Sequence, residues 1–292
     1  MGKSLYLRNL QTITSSESDF SERKSAGRMP ALVFFGLLVL LIATFAGLNF
    51  LGIFRFHLPV ALVVAMWIPG IAGLIAARYA QISVFGSKLP RIRFLALAVI
   101  APVGVCGIIH VALWLSGLVI FQNDLKGIGV GSSSQFALGL GLSVLGAFGE
   151  EIGWRGFLAP IFARRLGFAA LVWCTWLPWF LFYLWLFFLA GSYSTPAFAL
   201  QVLTIGTLLF GLNVLLVWLR MKTGSLWPPV LFHALHNFLA FNPVTLSSSH
   251  QPWLTGELGL ALACGYLAIC VGSLWDGSRL VRGCSKDDIV NP

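Results

Sequence analysis

The chain has 292 residues, of which 58% are hydrophobic and only 10% charged. Soluble domains carry about 25% charged residues, so this composition excludes a soluble globular protein, a disordered chain and a disulfide-stapled secreted module. The net charge of +9 reads as a signal of membrane topology once the basic residues are placed along the chain.

Residues 1–29 form a polar tail that includes Ser15, Ser16, Ser18, Ser21 and Ser25. Such a segment is expected to be a flexible cytoplasmic extension. It does not read as a cleavable signal, because the apolar run that follows is too long. A helix that crosses a bilayer needs about 20 apolar residues. Eight runs qualify as candidates: Pro30 to Phe54, Leu58 to Ala77, Phe94 to Phe121, Phe136 to Phe162, Gly167 to Gly191, Pro196 to Leu219, Leu226 to Phe241, and Trp253 to Trp275. The fourth run gains charges toward its end, so it either breaks there or continues out of the membrane. The seventh is short and opens with Trp227-Pro228-Pro229, where proline is tolerated because a first-turn N–H has no helical partner. The fold class is therefore all-α: a polytopic membrane protein of about eight transmembrane helices over residues 30–275, with a cytoplasmic tail at 276–292. No repeat is visible, and no two runs resemble inverted copies, which weakens a transporter reading.

The loops set the orientation. Of 19 Lys and Arg residues, only Arg55 and Lys126 fall on the side opposite the tails. The tail-side loops hold Arg78, Lys88, Arg91, Arg93, Arg155, Arg164, Arg165, Arg220 and Lys222, and the tails hold the others. The positive-inside rule then puts both termini in the cytoplasm. It also accounts for the whole positive excess, so the expected partner is the lipid bilayer and not nucleic acid. The 5 cysteines contain no Cys-x-x-Cys pair, so neither a zinc ribbon nor a redox couple is indicated.

Most of the 10 acidic residues lie in loops, tails or the outer end of the last run. Glu150 and Glu151 lie side by side within an apolar run. A charge at the bilayer centre costs about 2.5–3.5 kcal/mol on insertion scales, and ionisable groups kept there mark functional sites. In a helix, Glu151 and Arg155 stand at i and i+4 and can pair. Glu150 points about 100° away and has no such partner on its own helix. One carboxylate then anchors the frame, and the other is left for chemistry. A second polar spot, Phe232-His233-Ala234-Leu235-His236-Asn237, lies in the short seventh run. His233 and Asn237 share a face at i and i+4. His236 is read as a packing or supporting residue, and His57, His110 and His250 are given no role.

Glu150-Glu151-x-x-x-Arg155, followed much later by His233-x-x-x-Asn237 in an eight-helix chain, resembles the CPBP family. That family comprises CAAX prenyl endopeptidases and bacteriocin-processing or immunity proteins, also called Abi. The stretch Glu150 to Leu158 is similar to bacterial members almost letter for letter, and the resemblance covers roughly Phe136 to Phe241. It implies an intramembrane endopeptidase in a bacterial cell membrane, acting on a membrane-embedded or membrane-delivered peptide or protein. It also implies roles: Glu150 activates a water, Glu151 and Arg155 support the site, and His233 and Asn237 stabilise the oxyanion. The active-site cavity is expected between the fourth, fifth and seventh helices. No cofactor is expected, zinc being the one metal considered; His-Glu-x-x-His, the thermolysin-like motif, is absent.

The family has one further motif, an aromatic residue followed four positions later by histidine. This chain has no histidine between His110 and His233. An ungapped match puts Trp179 at the aromatic position and Tyr183 at that of the histidine. A shifted register puts Trp176 there instead. The ungapped match is preferred because it keeps a polar atom aimed at the site. Tyrosine, with an ordinary pKa near 10, moves protons poorly at neutral pH. Two readings stay open: a working peptidase with a modified site, in which Tyr183 faces Glu150, or an inactive relative serving as membrane scaffold or immunity protein. A transporter or channel would need intramembrane charges on other helices, and none is seen.

Overall fold

The computed structural model describes residues 28–53, 58–86, 89–121, 133–189, 198–241, 247–248 and 259–283. Residues 1–27 and 284–292, which hold most of both tails, lie outside the described residues, as do His57 and His250. The architecture is all-helical, as the apolar runs require, because a helix satisfies its backbone polar groups within its own segment. The elements are α1 (Arg28–Phe50), α2 (Leu58–Ala80), α3 (Ile92–Leu115), α4 (Ser133–Glu151), a π-helical segment (Ile152–Leu158), α5 (Ala159–Ala163), α6 (Phe168–Leu189), α7 (Phe198–Thr223), α8 (Trp227–Phe241) and α9 (Leu260–Gly283). Two short strands, β1 (Ile120–Phe121) and β2 (Ser247–Ser248), pair antiparallel and add a single clip.

Among the described residues, seven helical stretches are long and apolar enough to cross a membrane, α4, the π segment and α5 together forming one of them. The remaining run of the expected eight is α8, with 15 residues. At 1.5 Å per residue it falls short of a hydrocarbon core about 30 Å thick. It survives because it is enclosed: α3, α4 and α7 all contact it, so its polar residues face protein and not lipid. Large apolar side chains on the outer helices point outward, among them Leu40, Ile100, Ile108, Leu181 and Val271, as a lipid-facing surface requires.

Helix α9 continues to Gly283, past the boundary expected at residue 275. Asp276 holds that extension, accepting hydrogen bonds from Lys222 Nζ at 2.7 Å and Trp218 Nε1 at 2.8 Å at the end of α7. Close backbone packing seats α2 against the glutamate-bearing helix. A Cβ on Gly73 would come within 2.8 Å of Gly153 Cα, and one on Gly149 within 2.9 Å of the Trp67 ring. Small residues let helix backbones approach in this way where no hydrophobic drive separates lipid from protein. Below the glutamates an aromatic cluster fills the core: Trp154 meets Phe34 and Phe182 edge to face, with centroids 5.7 and 6.0 Å apart.

Candidate active site

The two glutamates end α4, and the backbone changes pitch directly after them. Residues Ile152–Leu158 are π-helical, with Ala159 N–H bonding to Trp154 O, five residues back. Such a turn is rare and concentrates at functional sites. Arg220, on α7, reinforces it. Its buried guanidinium donates through Nε to Arg155 O at 3.0 Å and through Nη1 to Gly224 O at 2.8 Å, and also reaches Val84 O and Phe85 O in the α2–α3 connection. The cation thus ties the π segment to two connections on the same side of the molecule.

Glu150, Glu151 and Arg155 are completely buried. Arg155 Nη1 donates to Glu151 Oε1 at 2.8 Å, the i, i+4 pair expected from spacing. The same oxygen lies 2.9 Å from His233 Nδ1 on α8. Trp179, on α6, donates its indole N–H to Glu150 Oε2 at 2.6 Å. Spacing along one helix offers Glu150 no partner; the partner comes from another helix. Trp179 also lies under the Arg155 guanidinium, 3.9 Å from the ring centroid, and its ring is 5.5 Å from that of His233. One indole therefore borders Glu150, Arg155 and His233. Pro178, just before it, interrupts the helical hydrogen bonding of α6.

Tyr183 is buried one turn beyond Trp179, with ring centroids 5.9 Å apart in a T-shaped contact. Trp176, the alternative position, donates to Gly206 O on α7 at 3.0 Å. Asn237 is buried on α8, and neither its Oδ1 nor His233 Nε2 has a hydrogen-bond partner. His236 faces away toward α9, its Nδ1 2.9 Å from the Tyr266 hydroxyl. Among the described residues, no three His, Cys, Asp or Glu side chains form a group able to hold a metal ion.

One participant went unnoticed in the sequence. Asn213, fully buried on α7, accepts from Arg155 Nη2 at 3.1 Å and from Thr175 Oγ1 at 3.2 Å, and donates to Val172 O at 2.8 Å. Its signal was present as an amide among Leu, Val and Gly in an otherwise apolar run. Asn213 fixes one arm of Arg155 while Glu151 takes the other. Side chains from α4, the π segment, α6, α7 and α8 thus converge on a desolvated assembly of two carboxylates, a guanidinium, an imidazole and an indole.

Among curated proteins, none matches this chain. A family model described as "Type II CAAX prenyl endopeptidase Rce1-like" matches residues 132–239. The match covers both glutamates, Arg155, Tyr183, His233 and Asn237, and it extends from α4 through α8. Over residues 132–239, this integral membrane protein is similar to the Rce1-like type II CAAX prenyl endopeptidases.

Proposed function

We propose that the protein is an intramembrane endopeptidase that hydrolyses a peptide bond of a membrane-embedded or membrane-delivered substrate. The observation that carries this reading is the division of labour between the two buried glutamates. Glu151 is engaged by Arg155 and His233. Glu150 accepts the Trp179 indole N–H through Oε2 at 2.6 Å, which aims the carboxylate. Glu150 binds and activates the attacking water as a hydrogen-bond acceptor. A peptide carbonyl becomes an oxyanion as water adds, and donors fixed in a dry site are worth several kcal/mol at that moment. Asn237, buried on α8 one turn beyond His233, can donate its side-chain Nδ2–H to that oxygen. Water is the only co-reactant this chemistry calls for. Both termini lie in the cytoplasm of a bacterial cell membrane, on the side rich in Arg and Lys.

A second reading, a catalytically silent relative that binds peptides or membrane partners as scaffold or immunity protein, is favoured by Tyr183 standing where the family motif has histidine. Both readings keep the site; only the first needs Glu150 competent. The test is incubation of the purified full chain in lipid nanodiscs with internally quenched peptides, with and without a prenylated C-terminal cysteine. Cleavage that disappears in Glu150→Ala is the expected result. A wild type that cuts no peptide overturns the peptidase reading in favour of the silent one.

A further inference from the structure

We infer that the groove between the start of α1 and α5 is a binding site for an anionic phospholipid, with Arg164 and Arg165 taking the phosphate and the surface of α1 taking an acyl chain. The groove measures 360 Å³. Helix α1 supplies Leu32 and Phe35 to it, α5 supplies Ile161 and Phe162, and Leu166 and the charged Arg165 follow α5. Its depth is that of a headgroup and the first part of a lipid chain. Phe35 lies two helical turns into α1, about 10 Å along the axis. The turn that carries the two arginines is held in place, because Phe162 O accepts the N–H of Arg165 and of Leu166, each at 3.0 Å. Arg165 is exposed there and Arg164 is half-buried.

Charge selects the occupant. Burial first, and then the adjacent Arg165 charge, draw the Arg164 guanidinium below its ordinary pKa. No carboxylate among the described residues pairs with Arg164. Two like charges side by side at the edge of an apolar region are stabilised by an anion, and basic pockets between helices at this face of a membrane protein take anionic headgroups. The planar fork of arginine matches a phosphate. Apolar walls suit a lipid and not a free ion, which would leave Leu32 uncovered at 64% exposure. The path for an acyl chain continues along α1. Leu32, Gly36 and Leu40 share one face at i, i+4 and i+8. A Cβ on Gly36 would meet nothing within 4 Å, so the missing side chain leaves a notch between two exposed leucines. Phe35 packs edge to face on Phe34 with centroids 5.3 Å apart, and Phe34 meets Trp154 and Phe157. A lipid in the groove thus braces α1 against the segment that carries Arg155.

The test titrates the full chain in detergent micelles with phosphatidylglycerol, phosphatidylcholine or inorganic phosphate. Bound lipid is read by native mass spectrometry and stability by the thermal midpoint, so no cleavage assay is needed. Each guanidinium beside an anionic lipid contributes about fivefold in affinity. Phosphatidylglycerol should therefore bind about 30-fold more tightly than phosphatidylcholine, and raise the midpoint more. Arg164→Gln combined with Arg165→Gln should remove that preference and leave phosphatidylcholine binding unchanged. Gly36→Phe, which fills the notch where a Cβ meets no neighbour, should weaken both lipids alike. Arg91→Gln combined with Arg93→Gln removes the same charge from an exposed pair at the start of α3 and should leave binding at wild-type strength. Equal binding of the two lipids, or an equal loss in the Arg91 and Arg93 variant, overturns the inference in favour of diffuse surface charge. Inorganic phosphate that reproduces the rise in midpoint would make the ligand a free anion. Lipid binding that emerges only after Glu17, Asp19 and Glu22 are changed to amides would give the groove to the chain's own tail and overturn the lipid assignment as well.

Discussion

Glu150 and Glu151 are adjacent in sequence, equally buried, and held by different kinds of partner. That difference should appear on substitution. Glu151→Gln leaves the Arg155 cation and the His233 ring facing a neutral amide inside the protein. Removing one partner of a buried ion pair costs about 3–5 kcal/mol, so detergent-extracted yield and thermal midpoint should both fall. Glu150→Gln keeps an acceptor for the Trp179 N–H and should fold nearly as the wild type while losing cleavage. Equal thermal midpoints for the two variants would show that the Arg155 pairing contributes nothing. Asn213→Leu preserves volume but frees one arm of Arg155 and leaves the Thr175 hydroxyl with only its own helix. A hydrogen bond to a charged group is worth about 1.5–3 kcal/mol, so kcat should drop by roughly tenfold to a hundredfold. With 5-fluorotryptophan in place of tryptophan, the ¹⁹F resonance of Trp179 should shift as Arg155 leaves its ring face; an unmoved resonance would deny Asn213 any hold on Arg155. The Glu151–Arg155 pair was legible because both residues lie on one continuous helix. The bonds from Trp179 to Glu150, from His233 to Glu151 and from Arg155 to Asn213 were not, since each joins separate helices and spacing along the chain carries no information on how helices are rotated against each other.

At the scale of elements, the site depends on two departures from regular packing. The π segment Ile152–Leu158 turns Arg155 back toward Glu151 while exposing its carbonyl to Arg220. Nothing in the composition of Ile-Gly-Trp-Arg-Gly-Phe-Leu distinguishes a π turn from an α turn, so the change of pitch is not legible in the sequence. The second departure is the glycine seam between α2 and the glutamate helix. Gly73→Ala would drive a methyl against the backbone at Gly153, 2.8 Å away, where no side chain can swing aside. Overpacking of this kind costs about 1–3 kcal/mol, and it would displace the segment that carries Arg155. Gly104→Ala, on α3, meets nothing within 4 Å and should be neutral or slightly stabilising. The measurement is the thermal midpoint of both variants in one detergent; a Gly73→Ala protein as stable as Gly104→Ala would mean that the seam is looser than it looks. The short α8 shows the converse case. Its apolar run and helical character were readable, but its depth was not, because length alone cannot say that neighbouring helices will enclose a 15-residue segment.

For the whole molecule, contacts at one end of the bundle settle the directions of α1, α2, α3, the glutamate helix, α7 and α9. Phe34 near the start of α1 meets Trp154 and Phe157 beyond the end of α4. Val84 and Phe85 after α2, and Gly224 after α7, share Arg220. Phe94 at the start of α3 meets Trp218 near the end of α7, which in turn bonds Asp276 near the end of α9. The starts of α1 and α3 and the ends of α2, α7 and α9 therefore occupy one face. Because α7 and α9 both end there, α8 and the residues after it must lead back to the opposite face, although α8 is too short to cross in a straight line. Arg78, Arg91, Arg93, Arg164, Arg165, Arg220 and Lys222 belong to the same face, which the basic-residue rule assigns to the cytoplasm. The test uses a chain in which Cys106, Cys174, Cys264, Cys270 and Cys284 are replaced by serine and one cysteine is returned at a time. A Ser4→Cys reporter should resist an impermeant maleimide in intact cells and react once the membrane is opened. A Lys126→Cys reporter, in the connection before α4, should react in intact cells. Labelling of the Ser4→Cys chain from outside would invert the whole assignment, moving the Glu150 end of α4 and the catalytic chemistry to the external half of the membrane and requiring a substrate that arrives from that side.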